Sequence, residues 1–330
     1  MNTRPWLIAA VVVFGLSPDR AEESPLSLRA EPPVQDTLNA AKTCGMCHTT
    51  IYEEWKDRKH NLAWDDEIYQ EKIATKRRPE QCHACHIPER VLARTGRKPR
   101  TRTQNLHEGV TCVACHEKDG AMHGPFDLET DAHKTEKDPL FTPSGSNGLC
   151  ASCHGTKIDV VLPVARDFED AGANVPADWS CVGCHMPSVT RHLAVNMLSG
   201  EPVGEAREGR SHAVLGPDDP EFCAKAFALS AKKADNRVVL SIENKAGHGV
   251  PGLRIRAFHF LLRQQDESGN QLSDDTVVID SENGLKILET RAFEFELADG
   301  ATKVEVVIQH HFQDELVAEI HKQTIDISRN

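Results

Sequence analysis

Gly109-Val110-Thr111-Cys112-Val113-Ala114-Cys115-His116 holds the pattern on which the fold turns, Cys-x-x-Cys-His. The same pattern stands at Cys44–His48, Cys82–His86, Cys150–His154 and Cys181–His185, giving five copies in all. Each is the attachment signal for a c-type haem. Two thiols add across the vinyl groups of the macrocycle and the adjacent histidine reaches the iron. The attaching pairs are Cys44 and Cys47, Cys82 and Cys85, Cys112 and Cys115, Cys150 and Cys153, and Cys181 and Cys184. The proximal ligands are His48, His86, His116, His154 and His185. One copy alone could be a zinc half-site or a redox pair. Five copies, using ten of the eleven cysteines, make those readings poor and imply five haems.

The motif starts are 38, 30, 38 and 31 residues apart, and the 142 residues from Cys44 to His185 leave about 28 per haem. That is too little chain to build an apolar pocket around each macrocycle, so the haems are expected to pack against one another among short helices and long loops. A helix is expected after the first motif, where Ile51, Trp55, Leu62 and Ile68 fit a helical period loosely. Pro143-Ser144-Gly145-Ser146-Asn147-Gly148 reads as a loop.

Near residue 220 the texture changes to alternating strands. These include 238–242, 255–262, 292–297, 304–308 and 318–327, with a turn at Asp266-Glu267-Ser268-Gly269-Asn270. About seven short strands point to an antiparallel β-sandwich of immunoglobulin-like size. The expected architecture is multi-domain α+β: a signal peptide over 1–21, a haem-packed helical and loop cytochrome domain over 40–217, and the β-sandwich over 220–330.

Arg4, the apolar stretch Trp6–Leu16 and Ala21 resemble a secretory signal, with an uncleaved N-terminal anchor as the alternative. Either reading puts the mature chain outside the cytoplasm, in the periplasm or otherwise exported. The formal net charge of −12 disfavours nucleic acid and anionic membrane surfaces. A basic run breaks that pattern: Lys76, Arg77, Arg78, Arg90, Arg94, Arg97, Lys98, Arg100 and Arg102. It reads as a solvated loop or as a patch that neutralises propionates or attracts an anion.

The second axial ligand decides what each iron can do. Twelve histidines lie outside the proximal positions. His133, in a loop before the fourth motif, and His248, between glycines beside a proline, are candidates; His248 reads equally as a turn histidine bonded to its own backbone. His107 and His192 are reserves. His83 is expected to face solvent. His310 and His311 are neighbours on a strand, so one of them faces inward; with His321 they read as strand or surface histidines. Cys223, the leftover thiol, reads as a small buried hydrophobe.

Several stretches together resemble the cytochrome c554 family of multihaem cytochromes. The first motif continues as Cys-Gly-Met-Cys-His-x-x-x-Tyr-x-x-Trp-x-x-x-x-His to His60, and the third is followed by His123-Gly124-Pro125. The fifth reads Cys-Val-Gly-Cys-His-Met-Pro and is followed by Ser211-His212, and Asn244-Lys245-Ala246-Gly247-His248-Gly249-Val250-Pro251-Gly252 resembles a turn that opens the β-domain in related proteins. The chain departs from that pattern at Asp57-Arg58-Lys59 and in lacking the usual threonine of the last turn. The resemblance implies distal histidines at His60, His123 and His212. Five closely spaced haems, mostly bis-histidine, point to electron transfer suited to anaerobic respiration or nitrogen and sulfur redox chemistry, with no catalytic residue assigned. Partners would be other cytochromes, a quinol-oxidising membrane complex or a terminal reductase. The alternatives are a haem enzyme with one open iron acting on a nitrogen or sulfur oxide, and a structural subunit of a multihaem assembly. All five motifs end in histidine, unlike the usual pentahaem nitrite reductases. The only tyrosines, Tyr52 and Tyr69, are expected near the first haem, which argues against a tyrosine-linked catalytic haem.

Overall fold

The computed structural model describes residues 40–328. The signal-peptide reading of 1–21 lies outside them. Among the described residues no helix is long and apolar enough to cross a membrane.

Residues 40–217 form short helices joined by loops. The motifs sit in the helices Glu80–His86, Cys112–His116, Asn147–His154 and Cys181–His185, each ending on the motif histidine, while the first motif begins in Ala41–Gly45. In a helix, positions i, i+3 and i+4 share a face. That is the spacing of the two cysteines and the histidine, so one helical turn presents all three to the same side. Short strands fill the remainder: β1 (Glu117–Lys118), β2 (Ala121–Gly124), β3 (Thr135–Lys137), β4 (Ser188–Arg191), β5 (Ala194–Val195), β6 (Pro202–Val203) and β7 (Arg207–Arg210). They pair as β1-β2-β3, β4-β7 and β5-β6.

The single helix expected after the first motif is two helices, Thr49–Trp55 and Glu67–Ala74, with a 3-10 turn at Asn61–Ala63 between them. Charged Asp57-Arg58-Lys59 carries no apolar side chain to hold the helix against a core. Trp55 stays buried because its indole N–H donates to the Val110 carbonyl at 3.0 Å. The second helix starts afresh where the Asp66 carboxylate accepts from the Tyr69 amide at 2.9 Å.

The C-terminal unit is antiparallel. Its strands are β8 (Phe227–Ala234), β9 (Arg237–Asn244), β10 (Arg256–Gln265), β11 (Gln271–Ile279), β12 (Thr290–Glu296), β13 (Lys303–Phe312) and β14 (Glu315–Asp326). Four form one sheet, β11-β10-β13-β14, and three form another, β12-β9-β8. Alternate residues point inward, as the two-residue period of a strand requires: Val238, Leu240 and Ile242 from one sheet meet Phe258, Phe260, Leu262, Val304, Val306 and Ile308 from the other in one core. Phe227 meets Phe260 edge-on across the sheets at 5.1 Å. His310 and His311 take opposite faces: His310 is 3% exposed, while His311 stacks on His259 at 3.8 Å. Cys223 is buried in the helix Pro220–Ala224 that packs beside β14, and burial pushes its thiol up to about 11.

Gly109 joins the third motif to the turn bearing His60. Its φ is +49°, and a Cβ there would meet the carbonyls of His60 and Asn61, while the neighbouring Val110 amide donates to the His60 carbonyl at 2.7 Å. Gly109→Ala is expected to cost at least about 2 kcal/mol, from the left-handed backbone and the backbone clash together. Guanidinium unfolding measures this, and a wild-type midpoint would show that the His60 turn tolerates displacement.

Candidate functional site

Four of the five motif histidines face a second histidine. Ring centroids are 6.2 Å apart for His48 and His133, 6.3 Å for His154 and His60, 6.1 Å for His116 and His212, and 6.3 Å for His185 and His248. An imidazole–metal bond is about 2 Å long, so two imidazoles sharing one metal ion hold their centroids about 6 Å apart. The Nδ1 atoms of His48, His116 and His185 hydrogen-bond the carbonyls of Leu193, His123 and Leu215 at 2.7, 2.7 and 2.6 Å. Each bond fixes the ring and leaves Nε2 free as a ligand atom.

Five of these rings are held neutral at pH 7. Burial, helped by the facing histidine, pushes His60 and His212 down to about 4. Burial also holds His116, His154 and His248 below the usual imidazole range. Neutral imidazole is the metal-binding form. Iron carried in a macrocycle asks only two axial donors and two thiols of the protein, and the motif helices with their facing histidines fit that demand.

Distant segments place the facing rings. Glu54 accepts from the His212 amide at 2.7 Å and from Arg191 at 2.7 Å, and Arg191 also donates to the Arg210 carbonyl. His248 sits on a turn knitted by fully buried Asn244, whose amide donates to the carbonyls of His248 and Lys286 at 2.9 Å. The flanking glycines are needed for close packing: a Cβ on Gly247 would meet the Phe168 ring at 3.1 Å, and one on Gly249 the Asp167 carboxylate at 3.0 Å. The His248 Nδ1 also hydrogen-bonds the Gly249 carbonyl at 2.9 Å, so the local backbone bond and the facing geometry coexist.

His123 departs from expectation. It is buried, with Nδ1 3.2 Å from Asp138 and Nε2 3.3 Å from the Lys118 carbonyl. Its backbone carbonyl, not its ring, serves His116. His83, expected to face solvent, packs edge-on to Trp64 at 5.2 Å with a buried Nε2. Of the reserves, His107 bonds Asp65 at 2.7 Å and His192 the Gly204 carbonyl at 3.0 Å, both at the surface.

His86 is the exception among the motif histidines. Its Nδ1 hydrogen-bonds the Ala63 carbonyl at 2.5 Å, but among the described residues no imidazole faces its ring. Tyr69 lies flat against it, 3.6 Å away and 8° from parallel. This corrects the expectation that both tyrosines lie by the first motif. The Tyr69 hydroxyl is buried without a partner, and burial pushes its ionisation up.

Thiols of different motifs meet. Cys44 and Cys112, Cys85 and Cys153, and Cys150 and Cys181 lie close enough to shift one another's ionisation. Cys115 lies within electrostatic range of Cys150 and Cys153. The first motif therefore lies beside the third, the third by the fourth, and the fourth touches both the second and the fifth. The basic run is divided in use. Arg102 folds inward onto the carbonyls of Gly109 and Asn105 at 2.5 and 2.7 Å, and Lys76 pairs with Asp159 at 2.5 Å. Arg94 and Arg97 line a cavity of about 460 Å³. A second, of about 350 Å³, lies between Arg97, Lys98, Ser152 and Arg166. Lys98 acts electrostatically on Cys82 and Cys85.

Residues 43–117 match the family model described as cytochrome c554 and c-prime. No curated protein matches the chain. Among solved structures, a penta-haem cytochrome c552 from Thermochromatium tepidum is similar over 82% of this chain and 90% of its own, at 18% identity and a TM-score of 0.58. The chicken interferon gamma receptor alpha chain matches at 10% identity, over 31% of this chain and 50% of its own, at a TM-score of 0.21, too low to carry an argument.

Replacing Glu54 with alanine leaves Arg191 without its carboxylate and frees the His212 amide. Their side chains are 23% and 12% exposed, so the expected loss at pH 7 is about 2 kcal/mol, below that for a fully buried pair. Burial raises the Glu54 carboxyl, but Arg191 and the His212 amide outweigh it and hold the group below its usual range. Its contribution is therefore complete above the ordinary carboxylate pKa and is lost as the pH falls through the lowered value. Unfolding midpoints of Glu54→Ala and wild type should differ at pH 7 and converge in acid; equal midpoints at pH 7 would refute the contribution.

Proposed function

We propose that this multihaem c-type cytochrome carries electrons between redox partners through five covalently attached haems, four of them ligated by two histidines. The observation that carries the reading is the set of four imidazole pairs 6.1 to 6.3 Å apart. The haems supply one-electron carriage and their ligands set the potentials. The chain's own work is to hold the ligands. Carbonyls orient the motif rings, and His60, His133, His212 and His248 fill the second positions. Bis-histidine ligation favours low potentials, which suits anaerobic respiration. Thiol contacts order the sites as first, third and fourth, with branches from the fourth to the second and fifth.

A second reading attaches to His86. With Tyr69 flat against this ring and no imidazole opposite, an iron there keeps one position that no histidine fills. A site of this kind takes a small ligand such as carbon monoxide or nitric oxide, or a nitrogen or sulfur oxide. Lys98 and the arginine-lined cavities favour an anion on electrostatic grounds.

The apolar N-terminal stretch and the haem-attachment motifs support a place outside the cytoplasm. The acidic surface supports partners with basic docking patches, and the 4 + 3 division of the β-strands supports the immunoglobulin-like reading of the C-terminal unit.

Pyridine haemochrome on the purified protein should count five haems per chain. Electron paramagnetic resonance of the oxidised sample should show four low-spin haems and one high-spin. Reduced protein should bind one carbon monoxide per chain, and His212→Ala should raise this to two. Five low-spin signals with no carbon monoxide binding would remove the open site and leave the pure relay; a count below five would break the relay itself.

A further inference from the structure

We infer that Arg256 and His310, both contributed by the β-unit, form a buried carboxylate-binding site that receives a propionate of the haem at the fifth motif. This rests on the proposed attachment of a haem at Cys181 and Cys184.

Arg256 opens β10, and its neighbour Phe258 pairs across the ladder with His310 on β13. The Arg256 Nη1 donates to the Pro251 carbonyl at 3.1 Å, but its Nε is buried and has no partner. No carboxylate is hydrogen-bonded to it. Cys223 and Asp218 act on it electrostatically, and Asp218 also lies 3.9 Å from Arg58. Burial pushes the guanidinium down to about 10. A largely buried cation with no carboxylate bonded to it is costly, and a guanidinium fits a carboxylate in two-pronged fashion. His310 repeats the pattern: it is 3% exposed and stacks on Phe258 at 5.4 Å. Neither of its ring nitrogens makes a hydrogen bond, although the Pro217 carbonyl lies near.

Arg256 lies beside one pair of facing imidazoles, and His310 lies within electrostatic range of Arg256. Arg256 bonds the turn that carries His248 and acts on that ring electrostatically. His310 lies by Pro217, two residues beyond Leu215, whose carbonyl holds the His185 Nδ1. Phe222 completes the bracket 5.0 Å from His185. Two orphan donors, one charged, thus sit beside the site where a haem would bring two carboxylates and no counter-ion of its own. The β-unit then does more than supply His248: it neutralises the same haem and so sets its potential.

Spectroelectrochemical titration of Arg256→Gln and Arg256→Lys against wild type, with haem counted on each sample, tests this. Loss of the cation favours the more positive, ferric iron. One midpoint potential should therefore fall in Arg256→Gln while the other four stay put, and Arg256→Lys should keep most of the wild-type value. Should Arg256→Gln fail to accumulate, His310→Phe reads the same haem through the neighbouring donor, with a smaller fall expected. Five unchanged midpoints in a folded Arg256→Gln protein that has merely lost thermal stability would overturn the inference and leave the relay standing. A count of four with free thiols at Cys181 and Cys184 would instead remove the haem at the fifth motif, and this site with it.

Discussion

The first 180 or so described residues lack a contiguous core of their own. The continuous apolar cluster of this protein begins at Cys223 and belongs to the β-unit, whereas the motif-bearing part buries scattered side chains such as Trp55, Ile87, Leu92 and Ala114. What organises that part is the placing of imidazoles: a motif ring pinned through Nδ1 to a backbone carbonyl, with a second imidazole opposite. Most of these pins come from distant parts of the chain. The Leu193 carbonyl reaches back to His48 across 145 residues, and Leu215 serves His185 across 30. Loops with little apolar surface hold their shape because these polar bonds fix where a metal-bearing group can sit.

The β-unit follows the opposite rule. Its seven strands were legible because a strand buried on one face has a period of two, and β9 and β10 keep that alternation almost residue by residue. The attachment motifs were legible because their chemistry is local: two thiols and an imidazole within one helical turn. The facing ligands were legible only as a pool. Partnering is long-range, and no local signal says that His60 meets His154 or that His133 meets His48. His123 shows the cost of reasoning from adjacency: it follows the third motif closely and does serve it, but with its carbonyl. Tyr69 lies closer in sequence to Cys82 than to His48, and it is the helix restart at Asp66 that turns it onto His86.

The supports of the site were the least visible feature. Nothing in the composition marks Glu54 as the group that ties His212 and Arg191 together, or Asp167 as the carboxylate met by the Gly249 amide. Glycines flanking His248 carried a trace of it. Glycine on both sides of a histidine signals close packing, and the structure supplies the partners as Phe168 and Asp167.

The facing pairs differ in the direction from which the second ring arrives. His60 precedes His154, while His133, His212 and His248 follow the motif histidines they face. A ribosome makes the chain from its N-terminus. The pair at the fourth motif can therefore close the moment His154 exists, but that at the third must wait for 96 further residues, up to His212. The pair at the fifth waits in another way: His248 follows by 63 residues, but its turn is braced by Leu285 and Lys286 and so needs more than half of the β-unit. Truncation within the β-unit would leave the fifth site half-made while the fourth was already complete, a built-in polarity of maturation.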